Sequence, residues 1–370
     1  MRYFFACVFI VFSVPGLRAQ TKWYDPSKAG YAVIQNQGWT NEIGKSFTRL
    51  PARAKSNVRE VVWDLAQNTA GLAIHFYTNA RTITVRYQIK SSAGMNHMPP
   101  TGKSGVDLYA IDDKGKWKLH TDKFLFEDTV KYIFNQVDYS PQSNGYEFRL
   151  FLPLYNDVKW MEIGVPDTAK FSFMPTLKDK PVIVYGTSIA QGGCASRPGM
   201  AWTNILSRKL KQPVINLAFS GNGPLEKEVV DYINELDATL YIFDCLPNMG
   251  GLSSDEIYKR VLYGVTALRK NHAAPILLTD HIGYRNDGLN YSTRDASART
   301  NIAQKRAYDT LIKSGIKNLY YLTKEEINFP DDGCVDLIHP NDLGMQAYAD
   351  AYFKEIQKIV SKPAKRVRAR

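Results

Sequence analysis

The chain has 370 residues, of which 44% are hydrophobic and 22% are charged. These values exclude collagen-like, low-complexity and wholly disordered chains, and the length favours two domains. The formal net charge of +11 would suit a polyanionic partner, but seven of those charges lie in the first nineteen and last ten residues, which leaves +4 for the body. We therefore expect no nucleic-acid partner.

The first nineteen residues predict a signal peptide. A basic start at Met1-Arg2 precedes an uncharged apolar run over residues 3–14, and Ala19 offers a small residue before the cleavage point. The run is too short for a membrane span, which needs about 20 apolar residues. We expect a secreted or periplasmic protein with no membrane insertion after signal cleavage. A basic tail is predicted over residues 363–370.

Three cysteines follow the signal peptide, namely Cys194, Cys245 and Cys334. An odd number leaves at least one thiol free or paired between chains. The sequence contains neither a CxxC motif nor a zinc-type spacing, so we expect no metal. Buried free thiols and a bridge between Cys194 and Cys334 both stay open, as does the oligomeric state.

Residues 20–177 have the pattern of an antiparallel β-sandwich, jelly-roll-like in type. Residues 83–89 alternate apolar and polar with the period of two that a half-buried strand requires. Other short β-branched and aromatic runs, separated by turn residues, lack helical periodicity. They predict strands at 61–63, 72–77, 106–111, 116–120, 146–152 and 158–164.

Residues 178–362 have a different pattern, in which strands alternate with helices. The predicted strands are 182–185, 214–217, 240–243, 276–279 and 318–322. The predicted helices are 201–210, 225–235, 254–271, 298–314 and 343–360. This alternation predicts a parallel sheet with helices on both faces, and such sheets bind ligands beyond the carboxyl ends of their strands.

Three of those strand ends carry candidate residues. Ser188 follows the first strand between glycines, where a tight turn can project its hydroxyl. Gly221 lies in a glycine-rich turn after the second strand, and Asn248 follows the third. A backbone N–H and a side-chain amide are the donors that an oxyanion hole uses, although each turn is commonplace when taken alone.

A histidine that suits a proton relay precedes the last helix. Of the six histidines, only His339 has an acid, Asp336, three residues earlier together with a following proline. That carboxylate can bond one ring nitrogen and leave the other to take a proton from a serine. His281 follows the fourth strand and is a further candidate for the mouth of the pocket, while the other histidines are interpreted as structural or surface residues.

In this order along the chain, Gly186-x-Ser188, Gly221, Asn248 and Asp336-x-x-His339-Pro340 resemble the SGNH, or GDSL-type, hydrolase family. The resemblance implies a flavodoxin-like, three-layer α/β/α domain with Ser188, His339 and Asp336 as the triad. It also implies an oxyanion hole from the Ser188 and Gly221 N–H groups and the Asn248 amide. Two blocks depart from the family pattern, with Gly-Thr-Ser in place of Gly-Asp-Ser and Leu-Pro-Asn-Met in place of Gly-x-Asn-Asp.

The first half carries a narrower resemblance. Residues 105–109 read Gly-Val-Asp-Leu-Tyr and are similar to the Gly-x-Asp-Leu-Tyr domain that precedes some SGNH hydrolases. Segments 152–155, 163–166 and 191–200 look like the same two-domain group. The resemblance covers about residues 58 to 360.

The expected function is hydrolysis of small acyl esters, O-acetyl esters in particular, on a small molecule or a polysaccharide, without a cofactor. Arg197 lies near the nucleophile and is interpreted either as a contact to an acidic sugar or as a brace for its loop. A secreted lipase or lysophospholipase is one alternative. The other is a glycan-binding envelope protein with a weakly active hydrolase domain.

Overall fold

The computed structural model describes residues 20–112, 114–139 and 144–361. The predicted signal peptide and the predicted tail over 363–370 lie outside these residues. Within the described part of the chain, no helix has both the length and the apolar character needed to cross a bilayer.

The first half contains two antiparallel sheets. Its strands are β1 (Thr21–Tyr24), β2 (Ile34–Gln35), β3 (Ala73–Thr78), β4 (Ile83–Ile89), β5 (Asp107–Ile111), β6 (Trp117–His120), β7 (Lys123–Leu125), β8 (Val130–Phe134), β9 (Tyr146–Phe151), β10 (Val158–Pro166) and β11 (Phe171–Phe173). One sheet has the order β1-β10-β4-β8-β7, and the other has the order β11-β3-β9-β5-β6 with β2 paired to β3. Phe76 and Phe148 of the second sheet share one buried core with Tyr87 and Met161 of the first. The predicted β-sandwich is confirmed.

The strand predicted at 61–63 is wrong, because these residues belong to a helix. The helices of the first half are α1 (Thr40–Ile43), α2 (Glu60–Ala66) and α3 (Pro100–Lys103). In α2, Val62 and Ala66 are fully buried while Val61 is 40% exposed. Burial at positions i and i+4 is the helical period, which a run of three apolar residues is too short to reveal.

The second half is a three-layer α/β/α domain, as predicted. Its elements are β12 (Val182–Gly186), α4 (Ser188–Gln191), α5 (Trp202–Leu210), β13 (Val214–Ala218), α6 (Lys227–Ile233), β14 (Leu240–Asp244), α7 (Ser254–Asn271), β15 (Ile276–Thr279), α8 (Tyr291–Lys313), β16 (Leu319–Leu322), α9 (Lys324–Ile327) and α10 (Asp342–Ser361). The parallel sheet has the order β13-β12-β14-β15-β16. One face packs on α6, α7 and α8, and the other packs on α5 and α10.

The strand order of this sheet indicates where a ligand crevice lies. The chain crosses from β12 to β13 on one side and then returns to β14 on the other, so β12 lies at the switch point of the fold. Loops that leave such a switch point in opposite directions open a crevice at the carboxyl ends of the strands. Ser188 lies at this position, two residues after the last residue of β12.

The two halves share packing surfaces. Residues of the segment 39–66, including Trp39 and Val62, belong to the same buried core as the α6–α8 face of the parallel sheet. Met98 and Leu154 belong to the core on its other face. The boundary between residues 177 and 178 stays a prediction, but the first half clearly contributes to both faces of the hydrolase-like sheet.

Candidate active site

Ser188 is positioned by a sharp turn from β12 into α4. Thr187 caps the helix by accepting a hydrogen bond from the N–H of Ile189. Gly186 lies against Ala190, and a Cβ at Gly186 would come within 2.6 Å of the Ala190 Cβ. A larger residue at Gly186 would therefore push the strand away from the helix that carries the serine.

The serine, histidine and aspartate predicted from the sequence form one hydrogen-bonded relay. Ser188 Oγ lies 2.9 Å from Nε2 of His339. Nδ1 of the same ring lies 2.7 Å from Oδ2 of Asp336. With Nδ1–H donating to the carboxylate, Nε2 is the acceptor for the serine proton, which is the tautomer that general-base catalysis requires.

Asp336 is held by its own turn. Its Oδ1 accepts hydrogen bonds from the N–H groups of Ile338 at 2.9 Å and His339 at 2.8 Å. Partial burial alone would raise the pKa of Asp336, but these backbone hydrogen bonds and the one from the His339 ring outweigh it and lower the pKa below the ordinary value. The carboxylate is therefore charged at neutral pH and can stabilise an imidazolium.

The turn that carries Asp336 and His339 is closed at both ends. Cys334 and Pro340 form an isolated β-bridge, and the N–H of Val335 donates to the His339 carbonyl at 2.9 Å. The chain enters α10 two residues later, at Asp342. A short closed turn fixes the histidine ring more firmly than an open loop would.

The predicted oxyanion donors lie at the neighbouring strand ends. Asn248 Oδ1 accepts a hydrogen bond from the N–H of Gly223 at 3.0 Å, which leaves its NH₂ group as the donating side. Gly221 has a φ of +68°, and no heavy atom lies within 4 Å of a Cβ built on it. Ser188 is the first residue of α4, so its N–H has no acceptor within the helix.

Residues of the first half hold the helix that begins at Ser188 and the end of the neighbouring strand β13, a role that the sequence did not reveal. Tyr155 Oη donates to the Ser188 carbonyl at 3.0 Å, and burial raises the pKa of this phenol well above its ordinary value. The guanidinium of the buried Arg49 donates to the carbonyls of Asn216 and Ala218 at the end of β13. No sequence motif marks Arg49, and the resemblance of segment 152–155 to the two-domain group assigns Tyr155 no role, because their partners lie in the other half of the chain.

Arg197 braces the two halves. Its Nη1 donates to Asp107 Oδ2 at 2.8 Å and to Tyr109 Oη at 2.7 Å, and the same carboxylate oxygen accepts the Gly199 N–H at 2.6 Å. Burial raises the pKa of Asp107, and the charge and hydrogen bonds of Arg197 oppose that shift. The Gly-x-Asp-Leu-Tyr segment therefore binds the loop that follows Ser188. These contacts agree with the interpretation of Arg197 as a brace for its loop.

His281, the candidate for the mouth of the pocket, lies in the protein interior. The side chain is 2% exposed, its Nδ1 accepts the Gly283 N–H at 2.9 Å, and its ring packs at a tilt of 48° against Tyr284. Burial, helped by the charges of Arg285 and Lys324, lowers the pKa of His281 to about 4. The imidazole is neutral, and its contacts belong to the loop after β15.

His97 is a site residue that the sequence interpretation missed. The sequence predicts a structural or surface role for it, yet its ring centroid lies 5.5 Å from that of His339. It comes from an exposed loop of the first half, more than two hundred residues away in sequence from its neighbour. The isolated residue carries no local signal that would have placed it there.

The cysteines are free thiols in the described part of the chain, with Cys194 and Cys245 buried and Cys334 partly exposed. Burial, together with the nearby Asp336 charge and Cys334, raises the pKa of Cys194 to about 12. This thiol is therefore neutral at physiological pH and does not compete with Ser188 as a nucleophile.

Two family models match the chain. Residues 179–357 match the GDSL-like lipase/acylhydrolase family, and residues 21–171 match the N-terminus of SGNH hydrolase-type esterases, known as GxDLY. No protein with curated annotation matches the sequence.

Solved structures resemble the chain over both halves. A Bacteroides ovatus protein assigned as a GDSL-like lipase is 31% identical with a TM-score of 0.84, and the match covers 92% of this chain and 98% of that one. The salicylyl-acyltransferase SsfX3 of a tetracycline biosynthetic pathway is 20% identical with a TM-score of 0.66, over 85% and 90% of the two chains. A family two carbohydrate esterase from Cellvibrio japonicus is 14% identical with a TM-score of 0.57, over 92% and 98%. At these lower identities the last two share the fold.

Proposed function

This chain belongs to the GDSL-like lipase/acylhydrolase family, and on that basis we propose that it is a secreted serine esterase that removes small acyl groups, O-acetyl groups in particular, from carbohydrate. Esterase-type hydrolysis is the activity of the family. The nucleophile, the acyl group and the export are our proposals.

One observation carries the proposal, the relay from Ser188 Oγ through the ring of His339 to Asp336 at 2.9 and 2.7 Å. A serine hydroxyl is a weak nucleophile unless a base takes its proton as it attacks. Here the base is oriented by a carboxylate that three hydrogen bonds hold in its charged form.

The proposed reaction has two halves. His339 takes the Ser188 proton while Oγ attacks the ester carbonyl, and the resulting oxyanion receives hydrogen bonds from the Ser188 and Gly221 N–H groups and from Asn248. His339 then returns the proton to the departing alcohol, which leaves an acyl-enzyme. Water attacks the acyl carbon with His339 again as the base. The carboxylic acid is released and the free serine is regenerated.

The surroundings of the nucleophile support a small acyl group on a polar alcohol. Gly193 packs so tightly that a Cβ there would lie 2.8 Å from Tyr155 Oη and 3.4 Å from the His339 ring. His97 and Asn248 add polar groups at the rim. A sugar offers hydroxyl groups to such a rim, whereas a long acyl chain requires an apolar groove.

We propose carbohydrate as the alcohol part of the ester because of the shared fold. The Cellvibrio japonicus protein of the same overall fold is a carbohydrate esterase, and a β-sandwich beside the hydrolase domain suits a polymeric substrate. Export is proposed from the sequence of the first nineteen residues alone.

The experiment is a screen of acetate release from acetylated xylan, acetylated mannan, peracetylated glucose and acetylated chitin oligomers, with Ser188→Ala as the blank. We expect acetate release that Ser188→Ala abolishes. Release at the same rate by Ser188→Ala would contradict the assignment of the nucleophile.

A lipase is the second candidate, because the Bacteroides ovatus protein at 31% identity is assigned as a GDSL-like lipase. A series of p-nitrophenyl esters from acetate to palmitate separates the two. We expect kcat/KM to fall as the acyl chain lengthens, and a rise with chain length would favour the lipase.

A further inference from the structure

The loop that carries His97 is a rigid projection of the first half. Asn156 is buried, and its side chain bonds the backbone of Ser91 and Ser92 at the start of the loop. The ammonium of Lys103 donates to the Ser92 carbonyl at 2.6 Å. Met95 and Met98 then pair as a two-residue hairpin with His97 in its turn.

This loop is docked on the segment that contains Cys194. Met98 is 1% exposed and belongs to the core of the hydrolase domain, which fixes the backbone at the neighbouring His97 while the side chain of His97 stays exposed. Thr101 Oγ1 donates to the Ser196 carbonyl at 2.8 Å, and a Cβ on Gly102 would clash with the Ala195 carbonyl at 2.2 Å. The two segments are therefore in close contact.

The Cys194 segment is in turn tied to the helix that follows His339. The Ser196 N–H donates to Asp342 Oδ1 at 2.9 Å, and its hydroxyl donates to Oδ2 at 2.5 Å. Gly193 lies against the His339 ring. Direct contacts thus fix the positions of the His97 loop, the Cys194 segment and the His339 turn relative to one another.

Their side chains converge on one point. Among the described residues, one ligand atom each from His97, Cys194 and His339 lies within 4.8 Å of the other two. We propose that these three residues form a binding site for a thiophilic divalent cation such as Zn²⁺, and that the bound ion inhibits the esterase.

The ligand chemistry is that of zinc. Two imidazoles and one thiolate select Zn²⁺, Co²⁺ or Cd²⁺ over Mg²⁺ and Ca²⁺, which prefer oxygen ligands. In tetrahedral zinc the ligand atoms are roughly 3.5 Å apart, so ligand atoms that lie within 4.8 Å of one another must close by up to about 1.3 Å. The exposed His97 ring can supply that movement. Binding replaces the Cys194 S–H bond with a metal–sulfur bond, and the proton passes to the buffer.

His339 already has the carboxylate behind its ring that a metal-bound histidine usually has. Its Nδ1 donates to Asp336 at 2.7 Å, so Nε2 is the nitrogen left for the ion. A carboxylate behind the ring fixes the tautomer and makes the imidazole a stronger ligand. The hydrogen bond to Asp336 that suits His339 to act as a base therefore also suits it to bind zinc.

Inhibition follows from competition for that nitrogen. Ser188 Oγ lies 2.9 Å from Nε2, and an ion on Nε2 removes the lone pair that would take the serine proton. This inhibitory part rests on the proposed function, whereas the binding part does not. A fourth coordination position stays open to water, since the chain supplies three ligands.

The binding part is tested by calorimetry with ZnCl₂ on the full mature chain carrying Ser188→Ala, which is stripped with EDTA and kept reduced. We expect one ion per chain. Cys194→Ser and His97→Asn, each added to this background, should weaken the affinity about tenfold or more. His120→Asn is the matched control, since its ring bonds the Asn135 carbonyl away from the trio, and it should leave the affinity unchanged. Equal affinity in all three variants, or the absence of binding, would overturn the proposal.

Two further readouts separate a site from a surface effect. Co²⁺ bound to the same protein should show a thiolate-to-cobalt charge-transfer band that Cys194→Ser removes, and its persistence in Cys194→Ser would contradict the ligand set. In the chain with Ser188 intact, Zn²⁺ should suppress ester turnover, EDTA should restore it, Mg²⁺ should have no effect, and Cys194→Ser should lose the sensitivity. Zinc binding without inhibition would overturn the inhibitory part. If the chain proves inactive on every ester, calorimetry still decides the binding part.

Discussion

Replacement of Asp336 by asparagine changes the proton relay while it keeps the shape of the side chain. The carboxylate accepts from Ile338 N, His339 N and His339 Nδ1 at 2.9, 2.8 and 2.7 Å. An amide can keep its oxygen toward the two backbone N–H groups, which places its NH₂ group against Nδ1. The NH₂ group can only donate, so the ring must carry its proton on Nε2.

That tautomer presents an N–H to Ser188 and has no lone pair for the serine proton. The expected loss in kcat is about 10⁴-fold, the size seen when this substitution is made in a serine protease triad, and it corresponds to about 5 kcal/mol of transition-state stabilisation. KM should change little, because Asp336 does not face the substrate in the proposed reaction.

The assay is steady-state hydrolysis of p-nitrophenyl acetate by Asp336→Asn, with circular dichroism to verify the fold. Asp331→Asn, an exposed acid in the same loop, is the matched control and should retain wild-type turnover. A loss in Asp336→Asn of less than about tenfold would refute the tautomer argument.

Three more outcomes are expected. Asn248→Ala, which removes an oxyanion donor, should lower kcat about 10²–10³-fold in the same assay, and an unchanged kcat would exclude Asn248 from the hole. Asp107→Asn weakens the buried pair with Arg197, so urea unfolding should show a loss of about 2–4 kcal/mol, and no loss would contradict the brace. Because folding lowers the pKa of Asp336, its contribution to stability is present above the ordinary value of 3.8 and is lost as the pH falls below it, so thermal unfolding of the wild type should be more acid-sensitive than that of Asp336→Asn. Equal sensitivity would contradict the lowered pKa.

The hydrogen-bonded arrangement of Ser188, His339 and Asp336 was predictable because its signals are local. Ser188 lies two residues after the last residue of a buried strand, and Asp336 and His339 share one short turn, so neither feature requires knowledge of distant contacts. The parallel sheet followed from strand–helix alternation, and its strand order brings the ends of β12, β13 and β14 together. Local periodicity and one topological rule were sufficient for this part.

The contribution of the first half was not predictable in the same way. Tyr155 and His97 reach Ser188 and His339 from loops of the first half, and neither the resemblance of segment 152–155 nor the isolated His97 indicates these contacts. Arg197 illustrates the same limit, since its partner Asp107 is ninety positions away. Only packing in three dimensions separates a bracing arginine from one that binds substrate.

The helix at 60–66 shows where periodicity itself fails. The run Val61-Val62-Trp63 is β-branched and aromatic, which favours a strand on propensity. The burial of Val62 and Ala66 in the core beside the parallel sheet stabilises a helix instead. Tertiary packing thus overrides a weak local preference, as it often does in short segments.

The central claim is that Ser188 is a nucleophile activated by His339. Its most direct test is peptide mapping by mass spectrometry after reaction with a fluorophosphonate, which modifies activated serines. We predict one adduct, on the peptide that contains Ser188, with none in Ser188→Ala and a rate at least about 10³-fold lower in His339→Asn. An adduct on a different serine, or modification of His339→Asn at the wild-type rate, would contradict the claim.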